Sequence, residues 1–184
     1  MTTKFELRRR FKELRDGVAT PERLLASDLI CRQVAALCVQ RRILTVGAFW
    51  PFGSEVDLRP LVASQPLVSF FFPRIADQDP PRLTWGSQPL EPGAWGLLEP
   101  LWAPHPLPPV QLLLVPGLAF AADGHRLGYG RGFYDAVLEE LPREVLTLGV
   151  GFRFQRCAQL PSDATDRPVQ GFLDETGLTW INPA

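Results

Sequence analysis

The sequence is poor in the residues that build metal and redox centres. Its three cysteines, Cys31, Cys38 and Cys157, form no Cys-x-x-Cys pair and have no histidine nearby, which excludes a zinc-ribbon spacing and a disulfide framework. They read as small apolar fillers. The only histidines are His105, set between two prolines, and His125, beside a glycine run. Both read as surface-loop residues without a partner for nucleophilic catalysis. Charge of either sign is not in excess: 19 Lys and Arg stand against 20 Asp and Glu, a net charge of -1. A generic nucleic-acid binder would be strongly basic, so no nucleic-acid partner is expected. Long hydrophobic runs are missing too. The longest, Leu112 to Ala122, cannot cross a bilayer, and Met1 to Glu6 lead into charged residues without the apolar core of a signal peptide. A cytoplasmic location with no membrane partner is the expectation. No internal repeat and no low-complexity linker is visible.

What is present suits one globular domain over residues 1–184, with 46% apolar and 21% charged residues, a composition able to bury a core. Leu7, Phe11, Leu14 and Val18 predict a helix over 3–17 that ends near Gly17. A second helix is expected from Thr20, as cap, and Pro21 to about Cys38, with Leu25, Leu29, Val34 and Leu37 inward. Four unalternating apolar runs then follow, at Ile43 to Trp50, Leu67 to Phe72, Leu112 to Val115 and Val145 to Val150. Such runs suit strands buried on both faces. Helical patterns at Asp57 to Ala63 and Gly132 to Leu141 lie between them, so the fold class is α/β with a mainly parallel sheet. The proline-rich stretch from Ile75 to Pro109, with Trp85, Trp95 and Trp102, reads as an excursion along one side of that sheet. Residues 172–181 read as a closing hairpin.

The segment from Asp123 to Asp135 follows the third run and opens a helix. Gly128, Gly130 and Gly132 would let backbone N–H groups converge on phosphate oxygens at a helix N-terminus, with Arg126 and Arg131 adding charge. It is neither a Walker A loop nor the dinucleotide fingerprint, since its spacing is Gly-x-Gly-x-Gly. A turn that merely needs positive φ angles remains the structural alternative. On the first helix Lys4, Arg8, Lys12 and Arg15 fall along one flank as unpaired cations, a pattern that a solvated face also produces. Glu55 and Asp57 follow the first strand, where ligands of open α/β sheets gather. Gln155 and Asp166 share that address after the last of the four runs, and either could be a turn residue.

Taken together, Lys4-Phe5-Glu6-Leu7-Arg8, Glu55-Val56-Asp57, Pro116-Gly117-Leu118-Ala119-Phe120, the string Gly124 to Asp135, then Gln155, Pro161 and Asp166, resemble the 5-formyltetrahydrofolate cyclo-ligase family over nearly the whole chain. The resemblance implies a three-layer, NagB/RpiA-like α/β domain acting as a monomer on small molecules. It implies ATP- and Mg²⁺-dependent ring closure of 5-formyltetrahydrofolate to 5,10-methenyltetrahydrofolate, with ADP and phosphate released. It further implies that Lys4 and Arg8 contact ATP phosphates and that Arg126, Leu127, Gly128, Tyr129, Gly130, Arg131, Gly132, Phe133 and Tyr134 hold the nucleotide. Arg131 would be catalytic, Trp50 and Glu55 would meet the folate, and Asp135 and Asp166 would hold the metal. Ala121 stands where the family usually has aspartate, Val110-Gln111 where an acidic residue often precedes the strand, and Thr165 and Gln170 replace common polar or acidic neighbours. These departures bear on metal coordination. Two other readings stay open: a non-catalytic nucleotide- or RNA-binding relative of the same fold, and a sugar-phosphate isomerase on a similar scaffold, for which no acid or base beyond the two aspartates offers itself.

Overall fold

The computed structural model of the protein describes residues 3–106 and 108–181. Two helices come first, α1 (Lys4–Asp16) and α2 (Thr20–Arg41). β1 (Thr45–Gly47), α3 (Arg59–Ser64), β2 (Ser69–Gln78) and β3 (Pro81–Gly86) follow. The short strands β4 (Leu90–Pro92) and β5 (Leu98–Pro100) pair as a hairpin. Then come β6 (Leu112–Pro116), β7 (Ala119–Ala121), β8 (Arg126–Leu127), α4 (Phe133–Glu140), β9 (Leu146–Val150) and β10 (Arg156–Cys157). β11 (Gly171–Asp174) and β12 (Gly177–Trp180) close the chain as the expected hairpin.

The main sheet has seven strands in the order β12-β11-β9-β6-β1-β2-β3. The pairings from β11 through to β2 are all parallel, and only the two edge pairs are antiparallel. Strand β6 shows why unbroken apolar runs were needed. Leu112 and Leu114 pack with α2 and α3 residues such as Ile30, Val34 and Leu61 on one face. Leu113 and Val115 pack with Val137 of α4, Trp85 and Leu83 on the other, as the two-residue strand period dictates. Helices thus cover both faces, giving three layers. Among the described residues no helix is long and apolar enough to cross a membrane.

Three expectations are corrected. The inner face of α2 is Ser27, Ile30, Cys31, Val34, Leu37 and Cys38, whereas Leu25 and Leu29 are exposed. Leucine occurs around the whole helix, and the core selects the 3–4 spaced stripe that starts at Ser27. The N-cap is Ala19, without a side-chain bond, and Thr20 is already helical. The proline-rich stretch is more than an excursion, because β2 runs on to Gln78 and β3 supplies a strand at the sheet edge.

Helix α1 covers neither face of the main sheet. It packs through Leu7 and Phe11 on Leu118, Ala119 and Leu127, beside the small sheet β10-β7-β8 that follows the carboxyl end of β6. Leu14, expected inward, is exposed, and Arg15 is buried instead. A capping box between Thr3 and Glu6 starts this helix, fixing where its first turn sits.

Candidate active site

A cavity of about 700 Å³ opens beyond the carboxyl ends of the parallel strands, the usual ligand address of an open α/β sheet. Every residue to which the family resemblance gives a role lines it: Lys4, Arg8, Trp50, Glu55, the run from Arg126 to Asp135, and Asp166.

The glycine run makes one wall. Gly130 and Gly132 have φ of +92° and +74°, values that only glycine adopts at little cost, so the turn that needs positive φ angles is present. A Cβ on Gly130 would lie 3.0 Å from Cζ of Arg8. That close approach lets Arg8 Nε donate to the Gly128 carbonyl at 3.0 Å. Gly132 caps α4 with no side-chain bond, which leaves the first N–H groups of that helix free for an anion. Arg131 is exposed, with its guanidinium 5.1 Å from the centre of the Trp95 ring.

The cations are not the unpaired row expected. Lys4 Nζ donates to Asp163 Oδ2 and Asp166 Oδ2, both at 2.6 Å. Lys12 pairs with Asp16 at 2.5 Å. Arg15 lies inside, bonded to Ser54 and Tyr129. Arg126 turns to Asp135 at 3.1 Å and to the Arg167 carbonyl at 3.0 Å. Its Nε has no partner among the described residues, nor has the buried Tyr134 hydroxyl. Buried polar groups left open like this await a partner.

Asp135 also accepts from Arg167 N at 3.1 Å. Burial pushes Asp166 up, but Lys4 and the Asp163 N–H outweigh it and hold the carboxyl below the usual range. Among the described residues no three His, Cys, Asp or Glu side chains converge on one point. The described residues therefore offer carboxylates already paired with Lys4 and Arg126 and not a complete metal cage.

Glu55 is a buried carboxylate with four structural neighbours. Its Oε1 accepts from the Tyr129 hydroxyl at 2.6 Å and stands 4.0 Å from Arg15 Nη1. Its Oε2 accepts from Phe52 N at 3.0 Å. Burial raises its pKa, against the pull of Tyr129, Arg15 and the Phe52 N–H; burial also raises the phenol of Tyr134 on α4, and the Glu55 charge adds to that rise. Trp50 lies edge-on to Phe72, ring centres 5.4 Å apart, so it forms an ordered flat wall.

Other candidates turn out to be structural. Asp57 holds Arg59 through its backbone N–H at 3.0 Å and its side chain. Gln155 is buried and donates to the carbonyls of Gly117 and Leu118 while accepting from Phe152 N, which pins the loop before β7. His105 bridges to the Trp85 backbone, and His125 pairs with Asp123 at 3.2 Å. Of the family departures, Gln111 accepts from Leu44 N at 2.8 Å and Gln170 from Thr147 N at 3.1 Å. Both amide oxygens satisfy strand backbone and lie outside the cavity lining. Sequence reasoning missed Asp163 and the burial of Arg15. The second was findable, since Leu7, Phe11 and Arg15 recur every four residues along one face.

Known proteins are similar to this chain over nearly its whole length. The sequence model of the 5-formyltetrahydrofolate cyclo-ligase family matches residues 1–175. The mouse 5-formyltetrahydrofolate cyclo-ligase is 37% identical over 70 residues, 36% of this chain and 34% of that protein. That of Haemophilus influenzae is 22% identical over 178 residues, 91% of this chain and 95% of its own. The solution structure of Aquifex aeolicus 5,10-methenyltetrahydrofolate synthetase superposes with a TM-score of 0.84 at 29% identity, covering 100% of this chain and 95% of that one. The chain belongs to the 5-formyltetrahydrofolate cyclo-ligase family, whose reaction turns 5-formyltetrahydrofolate into 5,10-methenyltetrahydrofolate.

Proposed function

We propose that this chain closes 5-formyltetrahydrofolate to 5,10-methenyltetrahydrofolate by first phosphorylating the formyl oxygen with ATP. Oxide is a poor leaving group from a formamide. Transfer of the γ-phosphoryl group to that oxygen releases ADP and leaves a carbon with a phosphate leaving group. N10 then attacks the carbon and gives up its proton to solvent, and the C–O bond breaks with release of phosphate. One observation carries the reading: the Tyr129 hydroxyl lies 2.6 Å from Glu55, so the cation-bearing glycine loop and the folate-side carboxylate share one cavity.

The residues have matching work. Lys4, Arg8 and Arg126 stand beside the free N-terminus of α4 and bind the nucleotide's phosphates. Arg131, which can swing from Trp95, stabilises the charge spread over the moving phosphoryl oxygens. Glu55 accepts hydrogen bonds from the folate, and Trp50 stacks on its ring. Phe49, Pro73, Ile75 and Leu83 complete an apolar wall that keeps water from the phosphorylated formyl carbon.

Asp135 and Asp166 would be the carboxylates to hold a magnesium ion beside the phosphates of ATP, since magnesium takes one or two carboxylates. When bound, the ion neutralises phosphate charge. We read the protein as a cytoplasmic monomer working on these small molecules, without a nucleic-acid partner. The test is isotopic: with ¹⁸O in the formyl group, the label must leave in inorganic phosphate. Label retained in formate or lost to water would defeat the phosphorylated intermediate.

A further inference from the structure

We infer that Arg15 and the Tyr129 hydroxyl are positioning residues for folate recognition, acting through Glu55, so that Tyr129 serves the folate although it sits in the glycine loop. The inference rests on the Glu55 reading above. Arg15 and Glu55 are both buried, with side chains 4% and 8% exposed. A buried guanidinium frequently meets a carboxylate in a bidentate fork. Here it does not. Nε donates to Ser54 Oγ at 3.0 Å and Nη2 to the Tyr129 hydroxyl at 2.7 Å, while Nη1 stays 4.0 Å from Glu55.

The two hydroxyls act as relays. Ser54 Oγ donates onward to Asp16 Oδ1. Tyr129, having accepted from Arg15, has one proton left, and it goes to Glu55 Oε1. A phenol with a single proton and a donor already on its oxygen has no second orientation. Glu55 is thus held by Tyr129 at Oε1 and by the Phe52 N–H at Oε2. Of roughly four lone-pair sites on a carboxylate, about two remain for a ligand, and Glu55 faces the cavity. Carboxylate acceptors left open at a cavity wall suit a flat ligand edge with adjacent N–H donors.

The second effect is on charge. Burial raises the Glu55 pKa, and Tyr129, Arg15 and the Phe52 N–H oppose it. Arg15 comes from α1 and Tyr129 from the glycine loop, and the third group facing this carboxylate is Tyr134 of α4, whose phenol stays neutral. Removing Arg15 or the Tyr129 hydroxyl leaves burial less opposed and lifts the Glu55 pKa further.

Steady-state kinetics for both substrates in wild type, Tyr129→Phe, Arg15→Met, Arg15→Lys and Glu55→Gln decide the matter. Tyr129→Phe and Arg15→Met should each raise the folate KM about tenfold or more, the loss typical of a charge-assisted hydrogen bond, and leave the ATP KM within about twofold. Arg15→Lys should recover part of the loss. The rise of folate KM on acidification should begin at a higher pH in Tyr129→Phe and Arg15→Met than in wild type, a change that a merely structural role would not produce. Should Arg15→Met fail to fold, Tyr129→Phe, which keeps the ring, decides alone. A Tyr129→Phe variant that loses ATP affinity, or one with wild-type folate KM beside a damaged Glu55→Gln, overturns the inference. An unaffected Glu55→Gln would instead overturn the Glu55 reading itself.

Discussion

Gly130→Ala tests the geometry of the glycine loop at a single atom. The residue sits at φ +92°, and the added Cβ would lie 3.0 Å from Arg8 Cζ and 3.3 Å from its Nε and Nη1. Holding a residue with a Cβ in left-handed space costs about 1–2 kcal/mol. Arg8 is flexible at its far end and would move away, losing its bond to the Gly128 carbonyl, worth about 0.5–1.5 kcal/mol net. The sum is about 1.5–3.5 kcal/mol, and for a chain of this size each kcal/mol lowers Tm by about 2–4 °C. Gly128→Ala is the internal control. Its Cβ would meet nothing within 4 Å, and Gly128 has no positive φ, so its stability should stay within about 0.5 kcal/mol of wild type. Denaturant unfolding and ATP titration of the two variants side by side check both halves. Equal stability and equal ATP affinity in both variants would refute the argument from φ and from Arg8.

Three further outcomes are expected. Gly149→Ala puts a Cβ 2.4 Å from Phe120 Cε1 in a buried aromatic pair with Phe172; overpacking should cost about 1–3 kcal/mol in denaturant midpoints with little change in KM. Arg131→Ala should lower kcat by roughly a hundred- to a thousand-fold, the loss seen when one preorganised donor to a transition state is removed, and Arg131→Lys should regain part of it because the charge survives without the planar fork. Asp135→Asn and Asp166→Asn should shift turnover to higher magnesium concentrations without unfolding the protein, and magnesium curves identical to wild type would leave the ion to ATP alone.

The parallel sheet was legible because β6 is apolar on both faces and so carries no alternation that could be mistaken for a half-exposed strand. The glycine loop was legible for a related reason: glycine at 130 and 132 is the local requirement of the φ values found there. Helix α2 misled at Leu25 and Leu29 because its apolar residues surround it, and only packing against α3 and the sheet decides which stripe is inward. The burial of Arg15 could be read from its face, but what it bonds to could not. Its partners Ser54 and Tyr129 lie 39 and 114 positions away, and no local pattern pairs an arginine with hydroxyls at such separations. The Lys4 pairs with Asp163 and Asp166 span 159 and 162 positions and were illegible on the same ground. Family resemblance, not periodicity, was what singled out Lys4, Arg8 and Asp166.

The central claim is that one cavity joins the phosphates of ATP to the formyl group of a folate. It is tested most directly by incubating the protein with ATP, magnesium and 5-formyltetrahydrofolate and following the absorbance of the methenyl product alongside ADP. The account predicts methenyl and ADP in equal amounts, with neither formed when the other substrate is withheld. Nucleotide bound without turnover, or methenyl formed without ATP, would contradict it.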